Sequence, residues 1–130
     1  MAVTHSATLR NTIATAVKDA IDGGAGAGKL VFRLTGTVGS PGTAVATLIL
    51  TDPCGSVTAE VLTFSSITSD TNATGNASPV ATATLETGAG TVIVHTTVAA
   101  SGDAINLSGG LTIGAGDTVS CSSLTYAAMP

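Results

Sequence analysis

The sequence predicts a mainly β domain, an antiparallel β-sandwich or jelly-roll-like body, preceded by one N-terminal amphipathic α-helix. Three observations predict it. A single segment near the front repeats its apolar residues at helical steps. From Lys29 onward the chain breaks into short runs rich in Val and Thr, which suit a pleated, half-buried surface. Clusters of Gly, Asp, Ser and Pro separate those runs at short intervals, the punctuation of sandwiches and jelly rolls. At 130 residues the chain fits one domain, 1–130, large enough to bury a core without obligatory staples.

The helix occupies the stretch 4–22. Leu9, Ile13, Ala16, Val17, Ala20 and Ile21 follow one another at the spacings that line a helix face. Thr4 or Ser6 can accept bonds from the orphan backbone donors at its start, and Gly23 and Gly24 can close its end. Burying Leu9, Ile13, Val17 and Ile21 contributes about 1.5–3 kcal/mol each, more than a surface ion pair supplies, so the stripe must dock on something. A glycine-rich link, 23–28, leads to a β domain over 29–126.

In that domain Leu30, Phe32 and Leu34 alternate with Lys29, Val31 and Arg33, a strand with one core face. Further β-like runs cover 45–51, 57–63, 80–87, 91–98 and 118–126, with shorter ones near Ile105 and Leu111. Between them lie turn-rich spacers at 39–42, 52–55, 70–79, 88–90, 101–103 and 114–117. The stretch 70–79 is the longest polar one and is expected to project as a loop.

Motifs for chemistry are weak. Gly23 to Lys29 spells most of a phosphate-binding G-x-x-x-x-G-K loop, but Leu30 stands where a hydroxyl must hold magnesium. The order is also helix, loop, strand, so no helix N-terminus faces a phosphate. Nucleophilic catalysis would need His5 or His95 beside an activated Ser or Cys. His95 instead shares a strand face with Ile93 and Thr97, a surface or interface position, while His5 precedes the helix as a capping or contact residue. Asp52, Asp70, Asp103 and Asp117 sit in turns, where Asp bonds nearby backbone, and no acidic cluster offers calcium converging oxygens. Asn72, Asn76 and Asn106 open glycosylation patterns, which carry no weight without a secretory signal. Cys54 and Cys121 either pair or are two buried thiols, and their spacing matches no metal or redox motif. No metal or cofactor is expected.

Composition bears on partners. Charged residues make up only 9% of the chain, so its surface is soluble through hydroxyls and tolerates assembly better than a highly charged one. Arg10, Lys18, Lys29 and Arg33 are the only basic residues, and six acidic residues follow Arg33 without a basic companion. Neutralising phosphates needs clustered Lys and Arg, so nucleic acid is excluded as a partner. Sugar sites usually present aromatic faces, and only Phe32, Phe64 and Tyr126 exist. No apolar run approaches the roughly 20 residues that span a bilayer, and the first dozen residues hold no secretory core, which predicts a chain made in the cytoplasm.

Thr4-His5, Arg10-Asn11, Ala16-Val17 and Ile21-Asp22, running into Gly24 to Leu30, resemble small virion proteins encoded among the head genes of tailed bacteriophages and prophages. Ile67 to Thr71, Gly116 to Ser120 and Leu124 to Tyr126 resemble the same family, whereas 80–98 departs from it. The resemblance implies a capsid decoration, or cement, protein on the virion surface. Its partners would be the major capsid protein and copies of itself in a homo-oligomer on the lattice. The candidate interface is Leu9, Arg10, Ile13, Val17, Lys18, Lys29 and Arg33, with the three more distal cations facing an acidic shell. A tail or fibre component and a host-glycan-binding module are the alternatives; no catalytic set supports an enzyme.

Overall fold

The structure, a computed structural model, describes residues 3–128 and is mainly β with one N-terminal helix. Helix α1 (Ala7–Ile21) is followed by strands β1 (Lys29–Arg33), β2 (Ala44–Ile49), β3 (Gly55–Thr58), β4 (Val61–Phe64), β5 (Thr82–Glu86), β6 (Val92–Ala99), β7 (Ile105–Asn106) and β8 (Thr125–Ala127). No helix among the described residues is long and apolar enough to cross a membrane.

The helix starts at Ala7 rather than at position 4, because Ser6 is the cap: its Oγ accepts the Leu9 N–H at 3.2 Å and leaves Thr4 and His5 outside. Asp22 closes the other end and does more than cap. Its Oδ2 accepts from Lys18 Nζ at 3.2 Å and its Oδ1 from the Cys54 N–H at 2.8 Å, tying the helix terminus to the start of β3. That bond holds the Lys18 ammonium above its ordinary value. Ala14 and Ile21 are fully buried and Val17 packs against the core, but Leu9 stays 43% exposed. Of the apolar stripe, Val17 and Ile21 reach the core, whereas Ala16 is exposed like Leu9.

Two sheets share the core. One has the order β2-β1-β5-β6-β7, antiparallel except for the parallel β6–β7 pair; the other is an antiparallel β3-β4-β8 ribbon on which α1 lies. Leu30 and Phe32 of β1, Leu48 of β2 and Leu85 of β5 meet Leu62 and Phe64 of β4 and Ile21 of α1. Because β1 and β5 are central strands, the alternation expected at 29–34 breaks down: Val31 is as buried as its neighbours, and all five residues of β5 are buried.

The run 57–63 is two strands rather than one. Thr58 and Val61 pair across a two-residue turn in which Ala59 and Glu60 both have positive φ, 51° and 66°. This hairpin geometry normally asks for Asn-Gly, and left-handed backbone costs a non-glycine residue about 1–2 kcal/mol. The helix compensates: Asn11 Oδ1 accepts the Glu60 N–H at 2.9 Å, and Arg10 Nη2 lies 3.9 Å from the Glu60 carboxylate. Ala59→Gly should accordingly raise stability by about 1 kcal/mol in urea unfolding, net of glycine's extra chain entropy. A loss of stability would show that the turn carries no strain.

The stretch 70–79 does not project. Asp70 and Val119 exchange backbone bonds at 2.9 and 2.8 Å, Ala73 N–H donates to Asp117, Gly116 N–H to Ala73, and Asn76 N–H to Ile113. Its polar backbone is satisfied by an irregular ladder along 111–119, which also keeps most of the expected strand 118–126 out of a sheet; only Thr125–Ala127 pairs with β4. The same region covers the β2 edge. Ile49 and Thr68 exchange bonds at 3.2 and 2.8 Å, Asp70 Oδ2 accepts the Thr47 N–H at 2.9 Å, and Gly75 N–H donates to Val45 at 3.0 Å. An edge that would otherwise template aggregation is thereby closed.

Candidate functional site

The densest polar cluster lies on the face of the larger sheet away from the shared core. Register places Arg33, Val31 and Lys29 of β1 beside Thr82, Thr84 and Glu86 of β5, with His95 of β6 opposite Thr84. Arg33 Nη2 donates to Glu86 Oε2 at 2.7 Å, its Nε to Thr84 Oγ1 at 3.1 Å and its Nη1 to the Gly42 carbonyl at 2.7 Å. The Thr84 hydroxyl donates to the same Glu86 oxygen, closing a three-membered ring, and Thr82 Oγ1 donates to the Leu34 carbonyl at 2.7 Å. Thr84 and Glu86 are buried, so the ring ties β1, β5 and the 34–42 loop together and offers a substrate no approach. His95 is half-buried on its strand, with Nε2 buried and without a partner among the described residues.

The candidate interface residues separate into two groups. Arg33 is turned inward and only 15% exposed, its guanidinium held by Glu86, Thr84 and Gly42 on a central strand. Lys18 lies between Asp19, at 3.6 Å, and Asp22, and Lys29 is half-buried at the start of β1. Ile13 and Val17 are half-buried, and Val17 packs against the core. Leu9 and Arg10 remain at the helix surface, close in sequence to Val3, which is 72% exposed. Arg10 meets Glu60 through Nη2, while its Nε is buried and lacks an acceptor among the described residues. An orphaned buried donor was not legible in the sequence, since it depends on how the hairpin turn covers the guanidinium.

Both cysteines are free thiols. Cys54 is buried beside the Lys18 carbonyl, and its burial, together with the nearby Asp22 carboxylate, pushes its thiol up to about 12. Burial also raises Cys121, which is only partly covered and donates to the Ser123 carbonyl at 3.3 Å. Because thiolate and access together set the rate, alkylation of the native protein near pH 8 should modify Cys121 slowly and Cys54 only on unfolding. Equal labelling by mass spectrometry would contradict this. The carboxylates behave as turn residues: Asp70 Oδ1 accepts from Asn72 at 3.0 Å and Asp117 Oδ2 from Gly114 at 2.8 Å. A hydrogen bond from Thr97 holds the Asp103 carboxyl below its ordinary value. Among the described residues no group of three His, Cys, Asp or Glu side chains converges on a metal position.

One groove of ≈ 570 Å³ opens between 104–113 and 117–125, with Phe32 at its floor and serine and threonine hydroxyls along its walls. Comparison with protein-family models, with curated proteins and with solved structures finds no match for this chain.

Proposed function

We propose that the chain is a non-enzymatic virion structural protein that binds and stabilises an assembled bacteriophage capsid as a decoration protein, its two sheets forming a sandwich-like body. The observation that carries the reading is the N-terminal half of α1. There Leu9 is exposed, as is Val3 ahead of the helix, and Arg10 stands beside Leu9 on a helix bonded to the β3–β4 turn through Asn11. The Arg10 side chain keeps 30% of its surface beside Leu9, and a partly exposed guanidinium next to an exposed apolar side chain is a common anchor at protein interfaces. The scarcity of charge elsewhere favours lattice packing over a freely diffusing monomer.

The protein should co-purify with filled heads in stoichiometric amounts and raise their resistance to heat. Leu9→Asp combined with Arg10→Ala should lower head occupancy by about tenfold or more while the far-UV circular dichroism stays native, as expected when an anchor at an interface is removed. Unchanged occupancy would remove the helix from the interface, and co-migration with tails would replace the head assignment by a tail one. Charge reversal is informative only at Lys18 and Lys29, since reversing Arg33 breaks the interior.

A further inference from the structure

The groove is the open seam between the two sheets. Its walls are 104–110, which contains β7 at the end of the larger sheet, and 117–125, which runs into β8 at the end of the smaller, and no hydrogen bond among the described residues joins 104–110 to 118–125. The β2 edge, by contrast, is closed by backbone bonds from Thr68 and Gly75.

Ladder alternation shows what the seam presents. Leu107 N–H donates to the Ala99 carbonyl at 2.9 Å, so the intervening Asn106 turns its backbone N–H and C=O away from β6. Phe64 N–H donates to the Leu124 carbonyl at 3.1 Å, so Thr125 turns its N–H and C=O away from β4. Both residues line the groove, and their outward backbone groups have no partner among the described residues. The lining carries no cation and a single carboxylate, Asp117, whose Oδ2 is occupied by Gly114.

From this we infer that the seam between β7 and β8 is a strand-addition site for an extended, uncharged peptide segment of a partner protein. Main-chain groups of Asn106 and Thr125 supply the affinity, and the recess over Phe32 receives one small or β-branched side chain of the added strand. An anionic segment is disfavoured because no lining group pairs an anion, and the one carboxylate, already bonded by Gly114, gives a cation little. The inference does not rest on the capsid reading, since Leu9 and Arg10 take no part in the seam.

The test uses the isotope-labelled full chain and, as probe, an uncharged heptapeptide alternating valine with threonine or serine, acetylated and amidated. Titration should shift amide resonances over 104–113 and 118–127 and slow the exchange of the Asn106 and Thr125 amides by about tenfold or more. Thr125→Pro removes an outward N–H without breaking the β4 ladder and should abolish binding while the thermal melt stays cooperative. A heptapeptide N-methylated at alternate amides covers the case in which that variant fails to fold, and it should not bind. Absence of shifts at millimolar peptide, shifts confined to β2 or α1, or equal binding of the N-methylated peptide would each overturn the site. So would binding of a neutral hexasaccharide in the seam with no response to the peptide.

Discussion

Arg33→Met should cost about 3–5 kcal/mol in urea unfolding, because it strands the Glu86 carboxylate in the interior with only Thr84 to satisfy it. The side chains of Glu86 and Arg33 are 4% and 15% exposed, so salt screens their attraction little and water cannot replace the lost guanidinium. That asymmetry sets an order. Glu86→Gln should cost less than Arg33→Met, since an orphaned Arg33 retains the Gly42 carbonyl and some access to water. Arg33→Met combined with Glu86→Leu should recover much of the single-variant loss, as replacing a whole buried pair by apolar groups often does. If Arg33→Met proved nearly neutral, Glu86 would not be charged in the fold and the ring would not be an ion pair. A loss of this size is a large share of the roughly 5–15 kcal/mol that keeps a domain folded, so its midpoint should be measured at low temperature.

Gly75→Ala should be comparably damaging through backbone alone. A Cβ there would lie 2.3 Å from the Ala115 nitrogen and 2.5 Å from the Gly114 carbonyl carbon, and φ at this residue is +73°. The left-handed backbone costs about 1–2 kcal/mol and the forced displacement of main chain about 1–3 kcal/mol more. The displacement pulls the Gly75 N–H off Val45 and loosens the cover of the β2 edge, so faster amide exchange across Ala44–Ile49 and concentration-dependent aggregation should accompany the lower melting temperature. Gly102 is the control: its φ is +76° but nothing lies within 4 Å of its Cβ position, so Gly102→Ala should show the backbone cost only. Equal effects of the two substitutions would mean that 70–80 and 111–119 are not locked together.

These expectations show where local pattern suffices. The α1 stripe could be read because helical spacing is a property of neighbouring residues, and Ser6 is a cap whose bond spans three positions; the end is closed by Asp22 rather than by Gly23 and Gly24. The turn roles of Asp70 and Asp117 are equally local, each carboxylate bonding a backbone N–H two or three residues away. The β3–β4 hairpin was hidden for the opposite reason: Ala59-Glu60 carries no turn signal of its own and is held by Asn11, which lies 49 positions away in sequence. Position 33 was legible as a strand residue but not as an interior one, because a sheet's second face is recognised only once its neighbours, Thr84 and Glu86, are known.

By itself, then, the amino-acid sequence determined a helix followed by a β-rich body poor in charge, since hydrophobic period, caps and composition act over a few residues. The tertiary structure alone decided that Arg33 faces inward, that 70–79 closes one sheet edge and that the seam between β7 and β8 stays open. Each of these depends on hydrogen bonds, or their absence, between segments tens of residues apart, and chain topology, not local propensity, brings such groups together.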